Sequence, residues 1–442
     1  MPHRRVGPEA KCRGRRPRTL RYDCAHHARS RPRRGEFDAR GRESVRSAAA
    51  RGDSPARRPR DRGSQIAAIA SELFAERGYQ SVKMEDIAES AGITPRAIYR
   101  HYENKQALLA HVVLGEQMPV IQVVERLSTD SATTPVPERL RALVEVSLDN
   151  RRLSVLWQRE ARHLTGEDFT LVRERTKMLA NQYIPLFIAP ERSDLDDDTA
   201  LLRAWTIGSI SSSAAYFEST MPRAQLVEEL VGAAHRVVVA EPAERSPHPR
   251  AGAVRRTPGS RREQLIAAAA SAFRRHGYAG VSIDDIGGEI GVVGPALYRY
   301  FDNKAEILVA AITRLSEWRA LETLRTLEQE PRSEKVIDGL VDGYVGLAAQ
   351  FPDLVALSLT ERLFLPQDAR ERLQRTQSEH LAEWQRWLVA ARPELDAQRA
   401  AVLVNVARTV IDDCVRNRRL QANESFEQEL RTVVRATLGI AP

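Results

Sequence analysis

Apolar residues recur along most of this chain at the three- and four-residue spacing of an amphipathic helix. No sustained alternation of apolar and polar residues occurs, so β-strands are not predicted. Leu, Ala, Glu, Arg and Gln dominate these segments, and all of them favour helices. The pattern therefore predicts an all-α protein. The first clear apolar helix face is formed by Ile66, Ile69, Ala70, Leu73 and Phe74.

An internal repeat organises the chain. Residues 62–109 align without gaps onto residues 261–308, at a shift of 199 positions, with 17 identities in 48. Weaker similarity continues downstream at a shift near 201, where Glu160 falls on Glu361. Repeats of this kind mark duplicated structural units. The whole unit of roughly 190 residues is therefore predicted to be duplicated.

The repeated segment carries the local signals of several short helices. Gly78 is a left-handed stop for the first helix, and Gly92 ends the second. Thr94 is a hydroxyl N-cap with Pro95 in the first helical position, so a third helix is predicted to start there. Asn104 is an N-cap for the helix that follows. Helix, glycine-bearing turn and helix is the arrangement that can place its second helix in a DNA major groove.

These two segments resemble the N-terminal DNA-binding heads of TetR-family transcriptional regulators. Residues 81–109 read SVKMEDIAESAGITPRAIYRHYENKQALL, and residues 282–308 read SIDDIGGEIGVVGPALYRYFDNKAEIL. The resemblance is specific over the heads. Elsewhere it rests on the length of each unit and on its helical sequence pattern. It implies two tandem TetR-like units. Each would be a three-helix head followed by a helical ligand-binding and dimerisation domain.

Composition refines the domain prediction. Residues 1–62 carry 20 Lys and Arg against 7 Asp and Glu; because the whole chain carries +8, the remainder carries −5. Basic character therefore belongs to the tail, and DNA binding has to be argued from placed residues. The predicted boundaries are a disordered basic tail over 1–60, head 1 over 61–110, helical domain 1 over 111–240, a linker over 241–260, head 2 over 261–309 and helical domain 2 over 310–442.

Two interpretations of the tail stay open. It is a solvated segment, or residues upstream of the true start codon, or else an arm that binds phosphates without sequence preference. A zinc site at Cys12, Cys24, His26 and His27 is disfavoured, because their spacing fits no compact ligand set. Three cysteines cannot form a disulfide framework, and no apolar run is long enough for a membrane span. We therefore expect a cytoplasmic, nucleoid-associated protein without membrane contact, metal or cofactor.

The candidate DNA contacts of head 1 lie at its helix starts. Arg96 is the candidate for a guanine edge, with a phosphate contact as the alternative. The resemblance implies a phosphate contact for Tyr99, whose alternative role is a core aromatic. Lys105 follows the Asn104 cap, where backbone amides and an ammonium suit a phosphate oxygen. The other candidates are Arg62, Ser64, Thr94, Pro95 and His101.

Head 2 departs from this pattern. Val293 replaces the hydroxyl cap, which costs about 1 kcal/mol of helix stability. Gly287 and Gly288 each cost up to about 1 kcal/mol relative to alanine. No residue is equivalent to Arg96, so head 2 is predicted to contact phosphates and to read bases less. Its candidate contacts are Val293, Gly294, Pro295, Tyr298, Tyr300 and Lys304.

The resemblance implies that each helical domain encloses a pocket for a small, apolar effector. The alternative for every aromatic candidate is ordinary core packing. The charged run from Arg159 to His163 is interpreted chiefly as a solvated ion-pair face, and Asp412–Asp413 as solvated surface or a helix start. The pocket candidates are Trp157, Phe169, Tyr183, Phe187 and Trp205 in the first half, and Trp318, Tyr344, Phe364, Trp384 and Trp387 in the second.

The last helices of each half, near 199–220, 223–240, 397–418 and 424–438, are the expected dimerisation elements. They would form a four-helix bundle within one chain, giving a pseudo-dimer, or between two chains, giving a homodimer. The predicted function is a ligand-responsive repressor whose heads bind a two-part operator in double-stranded DNA. The alternative is a pairing protein with degraded DNA specificity that modulates other regulators. An enzyme is disfavoured, since no nucleophile–base or metal spacing stands out.

Overall fold

The computed structural model describes residues 62–131, 133–244, 259–292 and 294–440, without the side chains of Gly294 and Pro295. Every regular element in these ranges is helical, which confirms the all-α prediction. The predicted tail over 1–60 lies outside the described residues, together with its cysteines and histidines. Most of the predicted linker and Val293 also lie outside them.

The first half contains nine α-helices among its described residues. Irregular helical turns extend three of them, at Leu156–His163 after α6, at Ile184–Ile188 after α7 and at Ser213–Ala215 after α8. The helices are α1 (Arg62–Arg77), α2 (Met84–Ser90), α3 (Pro95–Ile98), α4 (Lys105–Thr129), α5 (Val136–Asp149), α6 (Arg151–Val155), α7 (Gly166–Tyr183), α8 (Asp197–Ser212) and α9 (Arg223–Val239).

The second half repeats this order with local differences. A 3₁₀ segment, Gly294–Arg299, replaces the helix equivalent to α3, and another 3₁₀ turn spans Arg362–Phe364. The helices are α10 (Arg261–His276), α11 (Ile283–Glu289), α12 (Lys304–Gln329), α13 (Val336–Gln350), α14 (Pro352–Thr360), α15 (Gln367–Ala391), α16 (Ala397–Cys414), α17 (Arg418–Gln421) and α18 (Phe426–Leu438).

Each head packs its first helices against the long helix that leads into its helical domain. In head 1, Ile66, Phe74, Ile87 and Ile98 are fully buried in one core with residues of α4. Gly78 ends α1 at a φ of +82°, a backbone conformation that glycine adopts most readily. The apolar periodicity and the glycine stop thus define the head in the structure as they do in the sequence.

The two halves pack together through four helices. Helices α8 and α9 of the first half lie against α16 and α18 of the second, with apolar side chains of all four in one core. A buried ion pair crosses this bundle, from Arg203 on α8 to Glu429 on α18. The Arg236 guanidinium of α9 also donates to the carbonyls of Ala436 and Thr437 on α18, at 2.9 Å each. The bundle expected at the ends of the halves therefore forms within a single chain.

Helix α4 is long and apolar enough by composition to cross a bilayer. Its apolar side chains, however, pack into both the head and the domain behind it. Ten of its 25 residues are buried. The helix therefore serves as a core element here.

The two adjacent glycines of α11 are not equivalent. A Cβ at Gly287 would collide with the Val292 carbonyl oxygen and approach the Leu297 Cδ1 to 2.7 Å. A Cβ at the exposed Gly288 would meet no heavy atom within 4 Å. The expected cost of glycine therefore applies at Gly288 alone. At Gly287 the glycine permits the close approach of the following turn, and that part of the expectation is wrong.

This difference predicts opposite effects of one substitution at neighbouring positions. Gly288→Ala should stabilise head 2 by about 0.5–1 kcal/mol, because alanine loses less backbone entropy in a helix. Gly287→Ala should destabilise it, because the turn must move to admit the methyl group. Thermal unfolding of the two variants checks this. Equal stabilisation by both would contradict the close contact at Gly287.

Candidate nucleic-acid interface and its coupling to the body

The third helix of head 1 presents its predicted contact residues to solvent. Tyr99 is 51% exposed, whereas Ile98 is fully buried and Tyr102 is 8% exposed. The Tyr102 hydroxyl lies inside and donates to the Gly63 carbonyl at 2.9 Å. Thr94, Arg96 and His101 are exposed and Pro95 is half-buried, so these five candidates occur on or beside one accessible segment.

The two caps differ in how they are made. Thr94 has the extended backbone of an N-cap and Pro95 follows it, yet the threonine hydroxyl makes no capping bond. Asn104 caps α4 fully, since its side-chain oxygen accepts from the Ala107 N–H at 2.8 Å. Asn303 repeats that bond at the start of α12, accepting from Glu306 at 3.0 Å. Both heads therefore keep the turn that leads into the long helix.

The lysine after each cap turns toward a tyrosine ring. The Lys105 Nζ lies 4.2 Å from the centre of the Tyr79 ring, and the Lys304 Nζ lies 4.3 Å from that of Tyr278. Partial burial lowers the pKa of both ammonium groups. The Lys304 Nζ also donates to the carbonyls of Tyr278 and Val281, at 2.8 and 2.7 Å. Two of its three protons are thus used within the head, and only one is left for a phosphate.

The remaining predicted contacts are partly described. Arg62 and Ser64 are exposed at the start of α1, where the Arg62 Nη1 lies 3.4 Å from the Gln65 Oε1. In head 2, Tyr298 is 54% exposed and Tyr300 36% exposed. They lie on or directly after the 3₁₀ segment Gly294–Arg299. Because a 3₁₀ turn advances by 120° per residue rather than 100°, head 2 presents this segment differently from α3.

A buried glutamate joins each head to its helical domain. The Glu160 Oε2 accepts from the Tyr79 backbone N–H at 3.1 Å, and the Glu361 Oε2 accepts from that of Tyr278 at 3.1 Å. Glu160 is 2% exposed and Glu361 is fully buried. The interpretation of the Arg159–His163 run as a solvated face is therefore wrong. The signal for these residues was present in the sequence, since Glu160 and Glu361 align at the 201-residue shift.

The arginines that neutralise these glutamates come from one half. Arg159 pairs with Glu160, and its Nη2 also donates to the carbonyls of Phe74 and Ala75, at 2.8 and 2.6 Å. Arg162 instead crosses to the second half and pairs with Glu361. The first half therefore supplies a counter-ion to the contact that holds head 2.

A ring from the helical domain also stacks on the tyrosine of each head. His163 stacks on Tyr79 with ring centres 5.4 Å apart, and Phe364 stacks on Tyr278 at 5.1 Å. Burial, Arg162 and Lys105 lower the pKa of His163 to about 4, so its ring is neutral at pH 7. Phe364 was expected to line a pocket, and the structure instead places it at the contact between head 2 and the body.

The cavity of the first half is small and has no lysine or arginine in its lining. Its volume is about 150 Å³, and Trp157, Tyr183 and Trp205 are among the residues that line it. Phe187 is fully buried in the core beside it, and Phe169 packs near head 1. Asp413 belongs to the second half and borders this cavity. Its carboxylate accepts hydrogen bonds from Ser209 and Gln158 of the first half and pairs with Arg416. The interpretation of Asp413 as solvated surface is therefore wrong.

The cavity of the second half is larger and charged. Its volume is about 350 Å³, and Tyr344 lines it together with Arg319, Arg362 and Arg408. Trp384 is buried and borders only a separate, minor pocket. Asp412 is buried against Arg408 and Tyr344, so it also does not face solvent. Trp318 and Trp387, also expected to line this pocket, do not border it.

Metal binding finds no support in the part of the chain that the structure describes. No group of three or more His, Cys, Asp or Glu side chains there is arranged to hold a metal ion. Cys414 is buried, and burial raises the pKa of its thiol.

Comparison with known proteins links these heads to one family. The family model described as bacterial regulatory proteins, tetR family, matches residues 66–112 and again residues 265–311. The HTH-type transcriptional repressor KstR2 of Mycolicibacterium smegmatis is 28% identical over 30% of this chain and 66% of its own length. The HTH-type transcriptional activator FasR of the same species is 35% identical over 21% of this chain and 42% of its own length.

The matches to these relatives span less than two thirds of each relative. Among solved structures, a TetR-family transcriptional regulator from Bordetella parapertussis is 22% identical, with a TM-score of 0.37. That match covers 41% of this chain and 95% of the other. The family model matches both heads at the 199-residue shift of the internal repeat. The chain therefore carries two N-terminal domains of the tetR family in tandem.

Proposed function

We propose that the chain is a DNA-binding transcriptional regulator whose two heads bind the two parts of one operator. The four-helix bundle of α8, α9, α16 and α18 carries this proposal. It joins two family heads within one chain, so a single molecule holds the pair that DNA half-sites require. Because the heads differ, the two parts of the operator need not be related by symmetry. The domain boundaries and contact residues given by the sequence serve as the working assignment.

Ligand response is part of the proposal. Each half has a cavity between its helices, and a ligand that favours one arrangement of the heads shifts DNA affinity by that preference. The relatives include a named repressor and a named activator. The repressor match covers more of both chains, which favours repression as the direction of control. The effector releases the operator when its bound state holds the heads at another spacing.

Selection of genomic DNA fragments by the full-length chain tests this function. At about 150 mM salt, binding driven by nonspecific charge falls steeply, whereas specific binding survives. We expect enrichment of a two-part motif and, by light scattering, one chain per site. Lack of enrichment would favour the alternative of a pairing protein, which the altered recognition segment of head 2 supports. An obligate dimer of chains on each site would contradict the pseudo-dimer.

The two heads are expected to contribute unequally to the selected site. Tyr99→Ala should weaken binding about tenfold, the effect of losing one hydrogen bond to a charged phosphate group. Tyr298→Ala should weaken it less, because head 2 has no counterpart of Arg96 and a 3₁₀ recognition segment. Tyr→Phe at each position separates hydroxyl from ring. A larger loss for Tyr298→Ala than for Tyr99→Ala would contradict this asymmetry.

A further inference from the structure

Three arginines from separate elements converge on the cavity of the second half. Arg319 comes from α12, Arg362 from the turn after α14, and Arg408 from α16. The side chains of Arg319 and Arg408 are 11% and 9% exposed. The Nε atoms of both are buried without a hydrogen-bond partner. Buried guanidinium donors in this state carry a desolvation cost, and the positive charge of both groups borders the cavity.

The carboxylates nearby do not balance these charges. Asp412 is the buried one, and it accepts from Arg408 at 3.1 Å and lies 3.8 Å from Arg319. Two further carboxylates border the cavity nearer to solvent. Glu379 is exposed, and Glu383 is bound to Arg386 and to the Trp387 Nε1. The interior therefore holds three guanidinium groups against one carboxylate. Burial lowers the pKa of Arg362 and of His380, and the neighbouring arginines lower both further.

Part of the lining of the same cavity is apolar. Ile312, Leu327 and Leu373 line it, and Leu324 borders it while remaining 58% exposed. An apolar side chain that is both cavity-lining and exposed marks an opening to solvent. A ligand with a charged head at the arginines could therefore extend an apolar tail toward Leu324.

We propose that the second-half cavity binds an organic anion, a carboxylate or phosphate with an apolar tail, and that the arginine cluster binds its charged head. This inference rests on the ligand response in the proposed function and narrows its ligand class. Arg319, Arg362 and Arg408 all line the cavity and bring three positive charges to it. Guanidinium groups suit this role because they stay charged and present several donors to one oxyanion.

The first-half cavity provides an internal comparison. It is bordered by tryptophan, tyrosine, serine and amide side chains, and its one charged lining residue is Asp413. That carboxylate already accepts three hydrogen bonds, from Ser209, Gln158 and Arg416. A free anion would gain nothing there. The two halves are therefore expected to differ in ligand charge, although they derive from one repeated unit.

Titration of the full-length chain with three ten-carbon probes tests the proposal. Decanoate and decyl phosphate carry the anionic head, and 1-decanol shares the tail without the charge. We expect either anion to bind at least tenfold more tightly than the alcohol. Arg319→Gln should remove at least tenfold of the anion affinity and leave the alcohol unchanged, while Arg319→Lys should retain part of it.

Arg325→Gln is the matched control. Arg325 lies on the same helix, is 56% exposed and pairs with Glu322, so its loss should change neither affinity. If Arg319→Gln fails to fold, Arg362→Gln takes its place, because its one described side-chain hydrogen bond is to Gln377. Equal binding of decanoate and decanol, no binding of either anion, or full anion affinity in the folded variant would each overturn the proposal.

The titration contains no DNA, so it separates this site from the proposed function. Anion binding without enrichment of a DNA motif would leave the cavity assignment standing and overturn the operator. Enrichment of a DNA motif without anion binding would support the operator and overturn the cavity assignment. When both hold, decanoate should change the affinity of wild-type protein for the selected motif and leave that of Arg319→Gln unchanged.

Discussion

Removal of the Glu429 carboxylate should be among the most destabilising single changes in the chain. In Glu429→Ala we expect a loss of about 3–5 kcal/mol, because one partner of a buried ion pair is left uncompensated. Arg203 is fully buried, and its Nε donates to the Glu429 Oε1 at 2.8 Å. The other carboxylate oxygen accepts from the Ala243 N–H at 2.9 Å. The substitution therefore leaves the Arg203 guanidinium buried between the two halves without its counter-ion.

An exposed pair in the same molecule is the matched control. Arg141 binds Glu228 through two bonds of 2.7 and 2.8 Å, with side chains 40% and 60% exposed. Glu228→Ala should cost far less stability than Glu429→Ala, because solvent screens that pair. Denaturant and thermal unfolding of both variants measure the difference. An equal effect of Glu228→Ala and Glu429→Ala would contradict the buried charge as the cause.

Replacing both members of the buried pair separates charge from packing. Arg203→Met with Glu429→Met should recover most of the lost stability, since apolar side chains of similar volume need no counter-ion. A double variant as unstable as Glu429→Ala would show that the carbonyl contacts matter more. Those contacts run from the Arg203 Nη1 to Val238 and Ala240, at 3.2 and 2.7 Å.

The heads were predictable because their determinants are local. Apolar spacing gives the helix faces, Gly78 gives the stop, and Asn104 gives the cap, each within a few residues of the element it defines. The final helices of each half were also expected near their observed positions, although they were predicted one to six residues too long. Helix ends depend on weak terminal bonds, and sequence patterns locate them poorly.

The contacts between elements were less predictable. Glu160 and Asp412 stand in charged runs that resemble solvated surface, yet each is buried against a partner far away in the sequence, as is Glu361. Nothing local shows that a carboxylate will meet an arginine from the other half. Alignment of the two halves offered the one available signal, because it placed Glu160 on Glu361.

The sequence could not separate aromatic residues that border a cavity from those that do not. An aromatic residue on an apolar helix face can border a cavity, fill the core or stack on another domain, and its spacing is the same in each case. Trp157, Tyr183, Trp205 and Tyr344 border cavities, whereas Phe187 and Phe364 do not. The charge of the second cavity was missed because its arginines come from three elements that meet only in the folded chain.

Replacement of Arg162, in the first half, should weaken the contact that holds head 2 to its helical domain. The buried Glu361 carboxylate accepts from Arg162, from the Thr360 hydroxyl at 2.8 Å and from the Tyr278 N–H at 3.1 Å. In Arg162→Met the carboxylate keeps two neutral donors and loses its counter-ion. A charge-assisted bond contributes about 1.5–3 kcal/mol. Hydrogen exchange at the Tyr278 amide should therefore become about tenfold faster or more.

Arg159→Met is the matched control, because Arg159 serves the equivalent contact within its own half. Arg159→Met should speed hydrogen exchange at the Tyr79 amide and leave exchange at Tyr278 unchanged. Arg162→Met should speed exchange at Tyr278 and leave exchange at Tyr79 unchanged. Peptides covering residues 79–82 and 278–281 report the two amides. Faster exchange at Tyr79 alone in Arg162→Met would show that each half holds only its own head.

The contact between Arg162 and Glu361 is linked along the chain to the first-half cavity. The segment that carries Arg162 follows α6 and Trp157, which borders the first-half cavity. A ligand there that shifts this segment would move the counter-ion of Glu361 and so reach head 2, while Arg159 links the same segment to head 1. Allosteric coupling requires such an element, whose position both sites sense. If Arg162→Met abolishes an effect of ligand on head 2 and spares that on head 1, the first half controls both heads through one segment.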